Sequence, residues 1–253
     1  MPYAMYNQQS IYYDDIGEGE CVIFIHPPGM GRKTFVRQLP LQQQFRLILP
    51  DLSGNGESKK TTGYCTIADY ANEIEAIRLH AGIEQLFVFG YSSGGTIAQE
   101  YALQYKNNVK GLILSGGFPL VASELFKVEH HLGIFMVNHF PKLLAKIISM
   151  SHFHEKDLQQ ALYKEMLKAN LSIWAQFYEA SLTYNCLPRL LQLQAPLMLL
   201  YGEKSDSINM HVRFYEDITN KEVHFIKKAS HQLPTRRYKQ VNNYIEQFIL
   251  HNG

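Results

Sequence analysis

The stretch Leu86-Phe-Val-Phe-Gly90-Tyr-Ser92-Ser-Gly94-Gly95 decides the fold of this chain. It opens with an apolar run that is typical of a strand buried inside a parallel sheet. The glycines interrupt that run, and a helix is predicted from Gly94 to about Tyr105. A strand, a tight turn and a helix therefore follow one another, and Ser92 stands at the turn.

The chemistry of such a turn depends on its serine and its glycines. The turn forces the serine into a strained backbone conformation, and the glycines on either side prevent a clash with neighbouring backbone. The hydroxyl then projects beyond the sheet, and the next helix directs its positive N-terminal end at the same place. A merely structural turn rich in Gly and Ser is the alternative. The pattern G-x-S-x-G between a strand and a helix favours a nucleophilic Ser92.

Similar apolar runs, rich in β-branched and aromatic residues, recur along the chain and predict eight strands. They are Ala4–Tyr6, Ser10–Tyr13, Cys21–Ile25, Phe45–Leu49, Leu86–Phe89, Val109–Leu114, Pro196–Tyr201 and Val223–Ile226, of which the first two form a hairpin. Helical periodicity lies between them, notably in Thr66–Ala81 with Thr66 as N-cap, and in the final segment Tyr238–Leu250. This alternation predicts an α/β fold with a mostly parallel, eight-stranded sheet flanked by helices.

One long stretch, from 120 to 190, has no strand pattern. Its apolar residues form three helical stripes: Leu143, Leu144, Ile147 and Ile148; Leu158, Leu162 and Met166; and Leu171, Trp174, Phe177 and Tyr178. A helical block between two parallel strands predicts a cap over the carboxyl edge of the sheet, where ligands bind in open α/β folds. We therefore predict one domain, with a core at 1–119 and 191–253 and a helical cap insertion at 120–190.

The composition suits a globular domain and argues against several other classes. Of the 253 residues, 46% are hydrophobic and 19% are charged, so the chain can bury a full core. The net charge of +1 gives no electrostatic argument for binding nucleic acid or an anionic membrane surface. No apolar run is long enough to cross a bilayer, and the N-terminus lacks the pattern of a secretory signal. We expect a cytoplasmic protein without nucleic-acid partners or membrane insertion, and leave its oligomeric state open.

The residue types that bind metals form no convincing site. Cys21, Cys65 and Cys186 are far apart and form no CxxC pair, which predicts neither a disulfide framework nor a zinc knuckle. His152-x-His154-Glu155 has suitable side chains, but no third ligand is evident nearby. A solvated loop of the cap is the better interpretation, and no metal site is predicted.

A serine needs a positioned base to act as a nucleophile, and in this architecture the order along the chain is serine, acid, histidine. His231 follows the last predicted strand and precedes the terminal helix, where the base belongs. The acid is expected in Gly202-Glu-Lys-Ser-Asp206, directly after the preceding strand. Asp206 is our choice for orienting His231. Glu203 is the alternative, since a loop of unknown shape can aim either carboxylate inward.

Two further turns fit the same arrangement. Val22-Ile-Phe-Ile-His26-Pro-Pro-Gly-Met-Gly31 is a buried strand that runs into a turn, where an oxyanion-hole amide is expected. Asp51-Leu-Ser-Gly54-Asn-Gly56-Glu-Ser58 follows the next strand. We interpret this second turn as structural, holding the loops beneath the site.

Taken in order, these motifs resemble the α/β-hydrolase superfamily over essentially the entire chain. The resemblance rests on His26 with Gly29, Asp51 to Ser58, Gly90 to Gly94, Gly202 to Asp206, and Ser230-His231. It implies a catalytic triad of Ser92, Asp206 and His231, a helical cap, and cleavage of an ester, amide, thioester or C–C bond. It also implies that Ser93 supplies one oxyanion amide, and that neither a metal nor an organic cofactor takes part.

The chain departs from the family pattern at the first turn. Many members have His-Gly where this chain has His26-Pro27, and the second oxyanion amide usually comes two residues after the histidine. Pro28 occupies that position and has no N–H. Losing one such donor costs about 100- to 1000-fold in turnover. We expect the turn to be re-registered so that Gly29 or Met30 donates, because a glycine-containing turn can present amides at several points; an enzyme that is weak on ordinary esters is the alternative. A second departure is the four-residue step from Gly202 to Asp206, where three is common.

Hydrolysis of an ester or related acyl bond is the function these residues predict. Phe135 and Trp174 of the cap, with His26 and Tyr91 near the predicted site, suggest a pocket for a small, mainly apolar substrate, although any cap helix needs such residues for packing. The same triad also serves C–C bond hydrolysis, perhydrolysis or cleavage of short peptides. A small-molecule receptor or regulator with slow turnover is the alternative from a different class, and Pro28 is the feature that favours it.

Overall fold

A computed structural model of the protein describes residues 2–59, 63 and 65–253, and at position 206 the backbone alone. Eight strands form one sheet: β1 (Tyr3–Tyr6), β2 (Gln9–Ile16), β3 (Cys21–Ile25), β4 (Arg46–Pro50), β5 (Leu86–Tyr91), β6 (Val109–Ser115), β7 (Leu197–Gly202) and β8 (Lys221–Ile226). Their order across the sheet is β1-β2-β4-β3-β5-β6-β7-β8. The pairs β1–β2 and β2–β4 are antiparallel, and the pairs from β4 to β8 are parallel. The predicted mostly parallel, eight-stranded sheet is confirmed.

The α-helices of the described residues follow the same alternation. They are α1 (Ile67–His80), α2 (Gly94–Gln104), α3 (Glu124–His139), α4 (Pro141–His152), α5 (Lys156–Met166), α6 (Leu171–Thr183), α7 (Asp206–Asn209), α8 (Leu233–Arg236) and α9 (Tyr238–Asn252). The predicted N-cap at Thr66 is present, because its hydroxyl accepts from the Asp69 amide at 3.0 Å. The Asp69 carboxylate in turn accepts from the Thr66 amide at 2.9 Å. None of the described helices is long and apolar enough to cross a membrane.

Both faces of the sheet are covered by helices, which explains its apolar strands. On β5, Val88 packs into the cluster that contains the buried residues of α1 and α2. Its neighbours Phe87 and Phe89 face the opposite cluster, together with Val241 and Phe248 of α9. Successive side chains of a strand point to opposite faces, so a strand buried on both faces must be apolar throughout.

The helices α3 to α6 lie between β6 and β7 and form what we call the helical insertion, residues 124–183. The sequence predicts α4, α5 and α6 by their stripes, but it does not single out α3. The reason is that α3 has apolar residues on two sides: Phe126 and Val137 are buried, whereas Leu125 and Leu132 are exposed. No single stripe therefore marks this helix.

The helical insertion contacts the core at loops that follow the carboxyl ends of strands. The Asn170 amide donates to the Gly54 carbonyl at 2.8 Å, after β4. Arg236, after β8, donates to the carbonyls of Met150 and Ser151, each at 2.8 Å. Such contacts support the predicted cap over the carboxyl edge of the sheet. The cap boundaries at residues 120 and 190 stay predictions.

Candidate active site

Ser92 lies at the sharp turn between β5 and α2 with a φ of 53°. A positive φ is unfavourable for a residue with a side chain, so this backbone is strained. Two hydrogen bonds hold it in place: the Ser92 amide donates to the Ser115 carbonyl at 2.9 Å, and the Gly95 amide donates to the Ser92 carbonyl at 2.8 Å. The side chain of Ser92 remains partly exposed. The strained serine that the sequence predicts is present.

The two glycines of the motif are required by close packing. A Cβ atom at Gly94 would lie 2.3 Å from the Ile25 carbonyl oxygen at the end of β3. A Cβ atom at Gly90 would lie 2.6 Å from the Gly95 Cα atom. Any larger residue at either position would push α2 away from the strands that carry the turn.

His231 reaches Ser92 from the loop between β8 and α8. Its Nε2 atom lies 2.8 Å from the Ser92 hydroxyl oxygen, so the hydroxyl can donate to the imidazole. Gly116, directly after β6, leaves room for the ring: a Cβ atom there would lie 2.5 Å from His231 Cε1. Gly116 is not among the residues predicted from the sequence, although the pair Gly116-Gly117 at the end of a predicted strand is a usable signal.

Burial keeps the His231 imidazole neutral. Desolvation, with a smaller contribution from the nearby His152, lowers the pKa of His231 to about 3. The tyrosine before the nucleophile contributes to this apolar setting, since the rings of Tyr91 and His231 lie 5.3 Å apart with a 32° tilt. A neutral imidazole facing a serine hydroxyl is the protonation state that a general base needs.

The candidate acids occupy different positions. Asp206 begins α7 four residues after the end of β7, and its side chain lies outside the described part of the structure. Its segment lies beside the loop of His231, because the Lys204 amide donates to the Ala229 carbonyl at 2.9 Å. The Glu203 carboxylate accepts from the Lys228 amide at 2.8 Å. Glu203 is exposed, and its carboxylate is used to join the turn after β7 to the loop after β8, which favours Asp206 as the acid.

In the turn after β3, the amides predicted as the second oxyanion donor are hydrogen-bonded to other groups of the protein. The Gly29 amide donates to Asn55 Oδ1 at 3.0 Å. The Met30 amide donates to the Pro27 carbonyl at 3.3 Å. Pro28 has no N–H at all. The fourth candidate donor is Ser93 at the start of α2. Its amide, unlike those of Gly29 and Met30, has no acceptor among the described residues. The expected re-registration that frees Gly29 or Met30 is therefore not seen.

His26 has a structural role instead of lining a substrate pocket. The Leu52 amide donates to His26 Nε2 at 3.0 Å, so the ring proton lies on Nδ1, which is 2.8 Å from the Pro27 carbonyl. Its side chain is fully buried, and burial lowers the pKa of His26 to about 4. The neutral ring thus ties the turn after β3 to the turn after β4.

The second turn is held by Asp51, in agreement with its structural interpretation. Asp51 accepts from the amides of Arg32 at 2.8 Å and Glu57 at 2.9 Å, and it also pairs with the Arg32 guanidinium. Arg32 reaches the helical insertion as well, with Glu165 of α5 at 3.0 Å. Burial raises the pKa of the Asp51 carboxyl group, while Arg32 opposes that shift.

Of the three other residues predicted to line the pocket, two lie beside the candidate site and one does not. Trp174 of α6 is buried over the turn after β3, since a Cβ atom at Gly29 would lie 2.2 Å from the Trp174 ring. Tyr91 is buried beside His231. Phe135 is 50% exposed, and its ring contacts are His139 and Phe140. Trp174 and Tyr91 thus lie beside the site, whereas no described contact links Phe135 to it.

His152 is a buried residue of the helical insertion, contrary to the interpretation of its sequence pattern. It lies at the end of α4, is only 6% exposed, and its Nε2 atom is 3.0 Å from the Tyr91 hydroxyl oxygen. A solvated cap loop is therefore the wrong interpretation of this residue. No described group of three or more His, Cys, Asp or Glu side chains is arranged to hold a metal ion.

A family model for the alpha/beta hydrolase fold matches residues 22–234 of the chain. That span is most of the sequence and includes the turn at Ser92, the segment around Asp206, and His231. The match and the geometry described above therefore agree on the same architecture.

Individual proteins with similar sequences have different activities in their names. Lipase 1 of Psychrobacter immobilis is 28% identical over 206 residues, which cover 75% of this chain and 63% of that protein. The 2-hydroxy-6-oxononadienedioate/2-hydroxy-6-oxononatrienedioate hydrolase 2 of Pseudomonas putida is 25% identical over 95% of this chain and 92% of that protein. The chain spans between 32% and 63% of the length of the first six curated relatives that it matches.

Solved structures show the same fold at lower identity. An esterase from Exiguobacterium antarcticum superposes with a TM-score of 0.88 at 21% identity, and 98% of both chains is covered. An identity this low shows a likeness of fold and carries no argument about the substrate.

Proposed function

The chain belongs to the α/β-hydrolase family, and from this premise we propose that it is a serine hydrolase that cleaves an ester or related acyl bond of a small, mainly apolar substrate. The observation that carries the proposal is the 2.8 Å separation between His231 Nε2 and the Ser92 hydroxyl oxygen. A strained serine within hydrogen-bond distance of a neutral imidazole is the arrangement that nucleophilic acyl transfer requires.

The mechanism follows from these positions. The Ser92 oxygen attacks the substrate carbonyl while His231 Nε2 takes the hydroxyl proton. Asp206 stabilises the resulting imidazolium, and the Ser93 amide donates to the tetrahedral oxyanion. His231 then delivers its proton to the leaving group, and the acyl group stays on Ser92. Water, deprotonated by the same imidazole, attacks the acyl-enzyme and releases the carboxylic acid.

The apolar character of the substrate is inferred from what surrounds the dyad. Trp174 packs over the turn at Gly29, and Tyr91 lies against His231, so aromatic carbon borders the site on two sides. Such walls favour apolar acyl or alcohol groups over charged ones. The similarity to a protein named lipase agrees with this inference.

The test compares the wild type with Ser92→Ala and the matched variant Ser172→Ala, whose serine is exposed on α6. p-Nitrophenyl esters of increasing acyl length serve as substrates. We expect Ser92→Ala to lose essentially all turnover with unchanged thermal unfolding, and Ser172→Ala to match the wild type. Wild-type turnover by Ser92→Ala would refute the proposal. A wild type that a fluorophosphonate labels at Ser92, but that turns over no ester, would instead indicate a receptor or regulator.

A C–C bond hydrolase is the second candidate, and one comparison favours it. A relative that is matched over 92% of its own length is named as a hydrolase of 2-hydroxy-6-oxononadienedioate. The same Ser92–His231 pair would serve that chemistry. Turnover of this compound at a higher kcat/KM than the best ester, abolished by Ser92→Ala, would favour the second candidate over the first.

A further inference from the structure

The outer side of the helical insertion carries a row of large exposed apolar side chains. We call it the docking face, and its members are Leu125, Val128, Leu132 and Phe135 on α3, with Phe140, Leu143, Ile147 and Met150 at or on α4. Each of them is between 50% and 60% exposed. Their spacing of three or four residues places the members of each helix on one side of it. An exposed apolar surface of this extent marks an interaction site in a folded protein.

The docking face is one continuous surface that the fold itself does not use. The rings of Phe135 and Phe140 lie 6.2 Å apart and join the row on α3 to the row on α4. Packing inside the protein is done by other sides of these helices, where Val137, Leu144 and Ala145 are buried in one cluster. The exposed rows are therefore additional to the apolar residues that hold the insertion together.

The charges around this surface are predominantly positive at its α4 end. No Asp or Glu occurs between His130 and His154, whereas Lys142 and Lys146 are exposed beside Leu143 and Ile147. The acidic residues of α3 lie in its first two turns. Glu124 there pairs with Lys127 at 2.6 Å, and Glu129 accepts a long hydrogen bond from Ser207 at 3.4 Å. The overall net charge of +1 conceals this local excess.

A polar groove adjoins the same end of the docking face. It has a volume of about 340 Å³ and lies between α4 and α5, with Lys146, Met150, Lys156, Gln159, Gln160 and Tyr163 among its lining residues. The acidic neighbours on this side are Glu155, which is paired with Arg37, and Asp157 in the first turn of α5. The ammonium groups of Lys146 and Lys156 and the side-chain amide of Gln160 can receive the oxygens of a phosphate group, whereas the Gln159 amide already donates to the Phe153 carbonyl at 2.8 Å.

From this combination we propose that the docking face binds peripherally to a surface of anionic phospholipid. The apolar side chains enter the boundary between headgroups and acyl chains, while Lys142, Lys146 and Lys156 contact the phosphates. Helices that lie in a membrane interface have this pattern of exposed Leu, Ile and Phe beside lysine. The proposal is independent of the proposed function, because binding is measured without turnover.

A second copy of the chain fits this surface less well. A two-fold dimer joins the same patch on both subunits. The lysines of each copy would then meet a partner face that has the same lysines and no Asp or Glu between His130 and His154, so that stretch offers them no opposite charge. A phospholipid surface instead offers the opposite charge to every lysine on the face.

The experiment measures co-sedimentation of the full-length protein with vesicles. One set is pure phosphatidylcholine, and the other is an equimolar mixture with phosphatidylglycerol. We expect the wild type to bind the mixed vesicles more tightly, and added salt to weaken that binding. The triple variant Leu132→Ser/Leu143→Ser/Ile147→Ser should bind at least about tenfold more weakly. The matched control Leu79→Ser/Leu250→Ser removes side chains 64% and 68% exposed on α1 and α9 and should bind like the wild type.

Charge reversal tests the second half of the proposal. Lys142→Glu/Lys146→Glu should lose about 30-fold or more in affinity for the mixed vesicles, and little for pure phosphatidylcholine. Thermal unfolding of each variant checks that the fold is kept. Equal binding of the wild type to both vesicle types would overturn the proposal, as would an equal loss in the Leu79/Leu250 control. A wild-type dimer that the triple variant converts to a monomer, without vesicle binding by either, would assign the face to a second copy.

Discussion

The Tyr91 hydroxyl and His152 Nε2 lie 3.0 Å apart, which joins the residue before the nucleophile to the last residue of α4. His152 Nδ1 lies 2.8 Å from the Ile148 carbonyl, so it carries the ring proton and Nε2 accepts from Tyr91. The Tyr91 ring also lies against His231. The helical insertion therefore reaches the candidate general base through a single tyrosine.

Removal of the Tyr91 hydroxyl tests this link. In Tyr91→Phe the ring stays against His231, but the buried His152 Nε2 atom loses its donor. We expect the free energy of unfolding in urea to fall by about 1–3 kcal/mol. The matched variant Tyr3→Phe removes a hydroxyl from a side chain that is 46% exposed and should change stability by less than about 0.5 kcal/mol. Equal stability of Tyr91→Phe and the wild type would show that the contact contributes nothing.

The buried histidines predict how stability depends on pH. Burial lowers the pKa of His26 and of His152 to about 4 each, below the value of about 6.5 expected in the unfolded chain. Only the unfolded state then takes up these protons between about pH 6.5 and pH 4. The stabilisation is fully present above the unfolded pKa and is lost as the pH falls towards the folded pKa. Each histidine should contribute a loss of about 2 kcal/mol at about pH 5.

Urea unfolding of the wild type and of His152→Gln at several pH values between neutral and about pH 5 checks this sign. The slope of the unfolding free energy against pH should be smaller in the variant, by the amount that corresponds to the uptake of one proton on unfolding. The exposed His251→Gln is the control and should keep the wild-type slope. A wild type that becomes more stable on acidification would contradict the assignment of neutral buried imidazoles.

The sequence patterns predicted the strands and turns whose formation depends on neighbouring residues of the chain. The central strands β3, β5 and β7 were predicted because strands covered on both faces must be apolar. The partly exposed strands β1, β2 and β8 were predicted by their β-branched and aromatic residues. The turn at Ser92 was predicted because its glycines are irreplaceable there. The Ser92–His231 pairing followed from the order of motifs. The helix α3 was not identified, because its exposed apolar row conceals the periodicity by which a helix is recognised.

Other features depend on contacts between distant segments and leave no local pattern. The space for the His231 ring is provided by Gly116, more than a hundred residues earlier in the chain. His152 belongs to a local pattern typical of a metal ligand, yet its partner is Tyr91. The turn after β3 was expected to free an amide, but the Asn55 side chain already accepts from Gly29. Sequence spacing cannot show which of several acceptors a turn amide meets.

Replacement of Pro28 by alanine is expected to increase the turnover of esters. Because Pro28 lacks an N–H and its neighbours donate elsewhere, Pro28→Ala adds a backbone donor at the position where the family usually has one. If that amide faces the oxyanion, kcat for an ester should rise by about 10- to 100-fold with little change in KM. Pro27→Ala adds an amide one residue earlier and should not raise kcat. Steady-state kinetics that give the same kcat for Pro28→Ala and the wild type would show that this amide does not reach the oxyanion.

Gly116→Ala should displace the general base. Gly116 has a φ of 62°, and a Cβ atom there would lie 2.5 Å from His231 Cε1 and 2.6 Å from Nδ1. The imidazole must then move away from Ser92, so kcat should fall about 100-fold, while KM changes little. Gly82→Ala is the matched control: its φ is 63°, but nothing lies within 4 Å of the added atom. Both variants carry the same backbone strain, about 1 kcal/mol or more, and Gly116→Ala adds the overlap with His231, so unfolding experiments should give a larger loss of stability for Gly116→Ala than for Gly82→Ala. If the two variants had similar kcat values, backbone strain would explain any fall in kcat, and the contact between residue 116 and His231 would be excluded as its cause.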